Sequence, residues 1–213
     1  ALSGGTGADQ LAGDSGDDVI FSDEGDDISH GGAGNDVLFG GDGDDLLDGG
    51  DDDDIVSGDA GQDSLYGGDG NDILSGGADE DTVLGGAGDD IVVADDDSAS
   101  DTYSGDAGHD QLNYSGATDG VELDLITGMA SGQSIGDDSF SGFEDYVGST
   151  GDDHFLAGSG QASLTGNGGS DLYNFVQGDT VDIIRSVYQI NDFNSDDRIW
   201  IGSGSSHREI RKA

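Results

Sequence analysis

The sequence predicts an all-β fold of two short-stranded parallel sheets, with 18 residues to a coil and an irregular β flank and cap at the C-terminal end. Three observations predict it. A nonapeptide recurs in strict register over the first half of the chain. Its sixth position is Asp in each of ten successive copies, and its eighth is Leu, Ile or Val in nine of them.

The composition narrows what such a fold can be. The chain has 213 residues, 48 of them acidic and 5 Lys or Arg, for a net charge of −43, with 42 Gly, no Pro and no Cys. Leu, Ile, Val and Phe make up 45 residues, about 21 %, close to the level below which a highly charged chain stays disordered. The charge excludes nucleic acid and anionic membrane surfaces as ordinary partners. No apolar run is long enough for a membrane span. The absence of Cys excludes a disulfide framework, a thiolate zinc site and a Cys nucleophile. The chain lacks an initiator Met and a secretory signal pattern, so Ala1 is expected to be a fragment boundary or a processed end.

The charge is unevenly placed. All five basic residues, Arg185, Arg198, Arg208, Arg211 and Lys212, fall in the last 29 positions. Residues 1–184 hold 44 acidic residues and no basic one. Salt bridges cannot hold that stretch together, so its counter-charge must come from solution. Three regions are expected: the regular repeats over 1–113, a degenerate repeat-like β segment over 114–180, and a cap or linker over 181–213.

The repeat explains where the counter-charge goes. Gly4 to Val93 contains ten copies without a gap, with Asp9, Asp18, Asp27, Asp36, Asp45, Asp54, Asp63, Asp72, Asp81 and Asp90 at position six. A two-residue insertion in Ala94–Ser104 leaves Asp101-Thr-Tyr103, and Gly105–Asn113 is a twelfth unit with Asp110. Gly at positions one, two and four permits positive φ and a tight turn with exposed carbonyls. Asp at position six adds a carboxylate beside them. Positions seven to nine form a short strand whose eighth side chain faces inward. Two repeats then close one coil, so Asp residues 18 apart share an edge. One edge carries Asp9, Asp27, Asp45, Asp63, Asp81 and Asp101, and the other Asp18, Asp36, Asp54, Asp72, Asp90 and Asp110. Coils stack about 4.8 Å apart, and bare carboxylates at that spacing repel. A cage of carbonyls and carboxylates suits Ca²⁺, which accepts 6–8 oxygens in flexible geometry, better than Mg²⁺. The carbonyls expected to contribute are those of positions one and three: Gly13 and Ser15, Gly31 and Ala33, Gly40 and Asp42, Gly49 and Asp51, Gly58 and Ala60, Gly67 and Asp69, Gly76 and Ala78.

This Gly-Gly-x-Gly-x-Asp-x-apolar pattern, twelve units over residues 4–113, resembles the RTX or haemolysin-type calcium-binding repeat family, a Ca²⁺-binding parallel β-helix repeat. The resemblance implies a right-handed parallel β-roll, with each Ca²⁺ held between repeat n and repeat n+2 and about ten ions in all. It also implies folding driven by extracellular Ca²⁺, export from a bacterium by type I secretion machinery, and a secreted or cell-surface location. Departures occur where Asp14, Ser22 and Asp59 replace Gly at position one or two, and where Asp52 and Asp79 replace it at position four. Those turns are expected to be strained or weak.

The second half is less regular. Val121-Glu-Leu123-Asp-Leu125 alternates as a strand, and Asp138, Phe140, Phe143 and Val147 continue the rhythm loosely. Gly148 to Phe155 and Gly166 to Tyr173 are recovered units whose Asp153 and Asp171, 18 apart, are expected to share a Ca²⁺. Ala162 takes the equivalent place between them, so the opposite edge should lack a ligand there. The stretch resembles the degenerate flanks beside such arrays. Val181–Ile201 resembles the cap that must cover the last coil's core and unpaired edge.

No motif of a zinc protease, serine hydrolase or phosphate loop occurs. His30, His109, His154 and His207 are isolated and read as solvent-facing. Glu144-Asp145 is uninformative among 48 acids. Trp200 and the Tyr residues read as cap and core. On the outer faces, Val19, Val37, Ile55, Ile73 and Ile91 form a β-branched stripe, explained either by strand propensity or by a docking partner. The chain reads as a non-catalytic calcium-binding module of a larger exported protein. The alternatives are the tail of a secreted protease, lipase or polysaccharide-modifying enzyme whose catalytic domain lies elsewhere, or the spacer of an adhesin or surface-layer protein.

Overall fold

The computed structural model describes residues 1–158, 162–176, 189–203 and 206–210, and these contain strands and turns but no helix. Arg185, Arg211, Lys212 and the first part of the expected cap, residues 181–188, lie outside the described residues, as does the side chain of His207.

Strands alternate between a ten-stranded and a thirteen-stranded sheet. In the ten-stranded sheet Val19, Val37, Ile55, Ile73 and Ile91 lie side by side, and in the other Gln10, Ile28, Leu46, Ser64 and Thr82 do, each step being 18 residues and parallel. The nonapeptide therefore sets the coil. Position eight fills the space between the sheets: Ile20, Leu38, Val56, Leu74 and Val92 from one side, and Leu11, Leu47, Leu65 and Val83 from the other, are buried. The exception, Ser29, is also fully buried and meets Ser22 at 2.8 Å between hydroxyls. Ser22 is itself the serine that replaces the position-one Gly of the same repeat. The two departures satisfy each other, as buried hydroxyls must.

The strands are longer than the sequence suggests. Gln10–Ser15 and Val37–Asp42 are typical, six residues each, so a strand covers positions seven to nine and then one to three of the next repeat. Only positions four to six turn. Positive φ is confined to positions two and four, as at Gly32 (113°) and Gly34 (115°). Where Gly is missing there, the substitute is Asp with φ between 63° and 81°: Asp14, Asp23, Asp59 and Asp106 at position two, Asp52 and Asp79 at position four. Asp enters the left-handed region more easily than most residues, so these turns keep the shape of the others. Position one does not have positive φ, contrary to the expectation from sequence. Its Gly answers a close approach instead: a Cβ on Gly13 would stand 2.5 Å from the Gly31 carbonyl oxygen and 3.0 Å from Asp18 Oδ2.

The regular coil breaks after Val93. The strand Ile91–Val93 stops at three residues, and Asp95 takes over part of the ladder by accepting the Gly77 N–H at 2.9 Å. Beyond Asn113 the strands Val121–Asp124, Met129–Gly132 and Gly136–Ser141 run as an antiparallel meander inserted into the thirteen-stranded sheet. The alternation of residues 121–125 is thus a real strand, but one that folds back rather than coiling on. Parallel stacking resumes at His154–Ala157 and continues through Leu172–Val176 to Arg198–Ser203. Ser206–Ile210 pairs antiparallel with that last strand. One hydrophobic cluster runs from Leu11 to Phe175, with Ile190, Phe193, Ile199 and Ile201 packed against it.

Candidate metal centre

From Asp27 to Asp110 the turns place each position-six Asp in the same way. One carboxylate oxygen, Oδ1, accepts the backbone N–H of the position-six residue one coil earlier. Asp27 takes that of Asp9 at 2.6 Å, Asp36 that of Asp18 at 2.7 Å, Asp54 that of Asp36 at 2.7 Å and Asp72 that of Asp54 at 2.8 Å. The same bond links Asp45, Asp63, Asp81 and Asp101 along one edge, and Asp90 and Asp110 along the other. The two edges expected from the 18-residue spacing are therefore two ladders.

The other oxygen is the chemical signal. Oδ2 of Asp27, Asp36, Asp45, Asp54, Asp63, Asp72, Asp81, Asp90, Asp110, Asp153 and Asp171 is buried without a hydrogen-bond partner. A native fold rarely leaves a buried polar atom unsatisfied, and a buried carboxylate is the costliest case. Burial is the first cause that pushes Asp45, Asp72 and Asp90 up from 3.8 to about 6, Asp54 and Asp63 to about 7 and Asp81 to about 8. The N–H from the preceding coil pulls the other way, and stacked carboxylates such as Asp72 and Asp36 beside Asp54 add repulsion. The turns thus require a proton or a cation at each Oδ2.

The surroundings suit a hard cation. Oδ2 lies against the position-one Gly of its repeat, too close for a Cβ, and the position-one carbonyl of the next coil approaches the same point, as Gly31 does at Gly13, Gly49 at Gly31 and Gly67 at Gly49. The position-three carbonyls of Ala33, Asp42, Asp51, Ala60 and Ala78 each accept one N–H from position four of the preceding coil, at 2.7 to 3.2 Å. A carbonyl has a second lone pair. No three His, Cys, Asp or Glu side chains converge as a metal site among the described residues. An ion held in these turns would therefore draw mainly on backbone oxygen, which favours Ca²⁺ over metals that prefer nitrogen or sulfur.

The flank uses the same ladder with different partners. Asp101 Oδ2 accepts the Tyr103 hydroxyl at 2.9 Å, and Asp138 Oδ2 that of Tyr114 at 2.9 Å. Both tyrosines are buried: Tyr103 takes position eight, where regular repeats have Leu or Val, and Tyr114 lies two residues beyond the position-eight Leu112. Asp138 continues Asp101's edge, 37 residues on. On the other edge Asp110 donates to Glu144 at 3.1 Å, and Ser163 stacks on Asp145, placing Ala162 next to follow Glu144. Asp153 receives the Val121 N–H, and Asp171 that of Asp153. Sequence reasoning missed Asp138, Glu144 and Asp197 as ladder members. Asp197 is buried and accepts the Asp171 N–H at 3.0 Å. Its signal was the Asp-Asp-x-Ile of residues 196–199, hidden by a 26-residue spacing.

A second ladder was also missed. Position-five side chains accept the N–H of the following coil: Asp17 from Asn35, Asp44 from Gln62, Asp53 from Asn71 and Asn71 from Asp89. Each turn is thus tied to the coil on both sides. His30 and His109 are exposed, 3.2 Å from Asp48 and 3.4 Å from Asp145, and His154 lies 3.9 Å from Glu122.

A family model described as RTX calcium-binding nonapeptide repeat (4 copies) matches residues 2–29, 30–65, 66–98, 138–173 and 147–181, more than half of the chain. No curated protein matches it.

Proposed function

The chain belongs to the RTX calcium-binding nonapeptide repeat family, and on that premise we propose that it is the calcium-folded roll of a larger exported bacterial protein. It is a calcium-binding repeat module. The observation that carries the reading is the row of buried, donorless Oδ2 atoms, from Asp27 to Asp110 in the regular array and again at Asp153 and Asp171. From Asp36 onward each lies against the position-one glycine of its own repeat, and at Asp36, Asp45, Asp54, Asp63, Asp72, Asp90 and Asp110 a carbonyl of the next coil approaches the same point. Ca²⁺ supplies there the charge that the −44 of residues 1–184 needs, and its ligands are position-six carboxylates with position-one and position-three carbonyls.

Such a chain stays unfolded where Ca²⁺ is scarce and folds where it is plentiful, because ion binding contributes the folding free energy. That coupling fits passage through type I secretion machinery followed by folding outside the cell. The module's own role is structural, and any catalysis belongs to another part of the parent protein. The test is calcium binding to the whole chain by calorimetry. Binding should be cooperative at roughly 10⁻⁴–10⁻³ M, as in extracellular modules. Asp54→Ala should remove ions shared with Asp36 and Asp72 and spare those of Asp45 and Asp63. Disturbance spread instead to the nearer sequence neighbours would contradict the two-edge layout.

A further inference from the structure

The last coil holds a carboxylate pair that the nonapeptide does not account for. Asp171 stands at position six, is 1 % exposed, and accepts the Asp153 N–H through Oδ1 at 3.0 Å. Its Oδ2 is buried without a partner. Asp192 belongs to no repeat. It follows the strand Gln189–Ile190, the last of the ten-stranded sheet. Its Oδ1 accepts the Gly166 N–H at 3.0 Å and the Tyr173 hydroxyl at 3.3 Å, and its Oδ2 too is buried without a partner.

Gly166 brings the two together. Asp171 Oδ2 and the Tyr173 hydroxyl both crowd the point where a Cβ on Gly166 would stand, the hydroxyl at 2.7 Å, while the Gly166 N–H holds Asp192. Asp192 is among the carboxylates whose charge reaches Asp171. At Asp101 and Asp138 a tyrosine hydroxyl satisfies Oδ2 of the position-six Asp. Here the position-eight tyrosine is turned to Asp192 Oδ1, which leaves two buried carboxylate oxygens and no donor for either.

We propose that Asp171 and Asp192 together hold one further divalent cation, a Ca²⁺ site of two carboxylates and neighbouring oxygens that closes the C-terminal end of the roll. It rests on the calcium reading of the regular turns and adds to it a ligand from outside the repeat. Because Asp192 ends the ten-stranded sheet and Asp171 turns into the thirteen-stranded one, the ion ties the two sheets at the coil where the register is lost.

The chain reports on this site separately. Trp200 is its single tryptophan and pairs with Asn174, in the strand that follows Asp171. Calcium alone is titrated into the whole chain, with Trp200 emission read for the end coil, circular dichroism for the roll, and equilibrium dialysis for the ion count. Asp192→Asn should bind one ion fewer and shift the Trp200 midpoint to about tenfold higher Ca²⁺ or more, with the dichroism midpoint unmoved. In chelator the variant should match the parent. An unchanged count with an unmoved Trp200 midpoint would overturn the site, as would a loss of end-coil signal that saturating calcium does not restore, which marks a purely structural Asp192. A parent chain that binds no Ca²⁺ at all would instead overturn the reading of the regular turns.

Discussion

From Asp27 to Asp90 the position-six Oδ2 atoms are buried and unpartnered, whereas at Asp101 and Asp138 the same oxygen accepts a tyrosine hydroxyl. Both regions share one ladder of Oδ1 to N–H bonds and one core. The difference is how a buried carboxylate is made tolerable. In the regular roll it needs a cation from solution, and in the flank a neutral donor from the core supplies the bond. Calcium dependence is therefore a property of particular turns, set by whether a tyrosine hydroxyl reaches Oδ2, and it need not be uniform along one continuous solenoid.

The largest effect should come from placing a side chain where Oδ2 meets the position-one glycine. Gly49→Val would drive a side chain into Asp54 Oδ2 and the Gly67 carbonyl. The calcium-induced gain of β structure should be lost over several coils, measured by circular dichroism. Gly116→Val, where nothing lies within 4 Å of a Cβ, should leave the transition in place.

Exchanging the two solutions comes next. Tyr103→Phe removes the hydroxyl from Asp101 and should cost about 1–3 kcal/mol, the penalty for a stranded buried acceptor. The loss should shrink as calcium rises from just above the folding midpoint to saturation, since the turn then resembles its regular neighbours. Equal losses in denaturant titrations at both calcium levels would show that the hydroxyl and the ion are not equivalent.

Acid should separate the metal-free and calcium-loaded forms. Burial raises Asp54 and Asp63 to about 7 and Asp81 to about 8 in the fold, from 3.8. Groups raised on folding contribute stability that is complete below the unfolded pKa and lost as pH rises through the folded one. In chelator the roll should therefore gain structure between pH 8 and pH 4. With Ca²⁺, protons compete for the same oxygens, so the midpoint should move to higher calcium as pH falls. Dichroism at pH 5 and pH 8 in chelator reads the first, and identical spectra would contradict it.

The outer faces should matter least. Ile55 and Ile73 are exposed, and Phe21 stacks on Phe39 with ring centroids 5.2 Å apart. Replacing Val37, Ile55 and Ile73 by Thr should change stability by about 0.5 kcal/mol or less, as for ordinary surface sites. A changed association state on a sizing column would mark the stripe as a docking face.

The regular half of this fold was legible because each nonapeptide repeats one physical solution: Gly where backbones approach or φ is positive, Asp at the buried turn, an aliphatic residue in the core. The six-residue strands were not legible, because Gly-Gly reads locally as turn, yet positions one to three pair with their neighbours 18 residues away. Position-one Gly was assigned to φ when close approach is its reason, a tertiary fact that sequence does not carry. In the flank, Asp138, Glu144, Asp192 and Asp197 escaped notice because the meander and the long last coil change the spacing while keeping the ladder. The Ser22 and Ser29 pair shows the same limit, since each is a defect alone and a hydrogen bond together.

The central claim is that cation binding at the donorless carboxylates folds the roll. The most direct measurement is far-ultraviolet circular dichroism of the whole chain, first without Ca²⁺, then with millimolar Ca²⁺, then after excess chelator. The account predicts a largely disordered spectrum, a cooperative rise of β signal, and its loss on chelation. A cooperative β-rich spectrum that persists at neutral pH in excess chelator would contradict it.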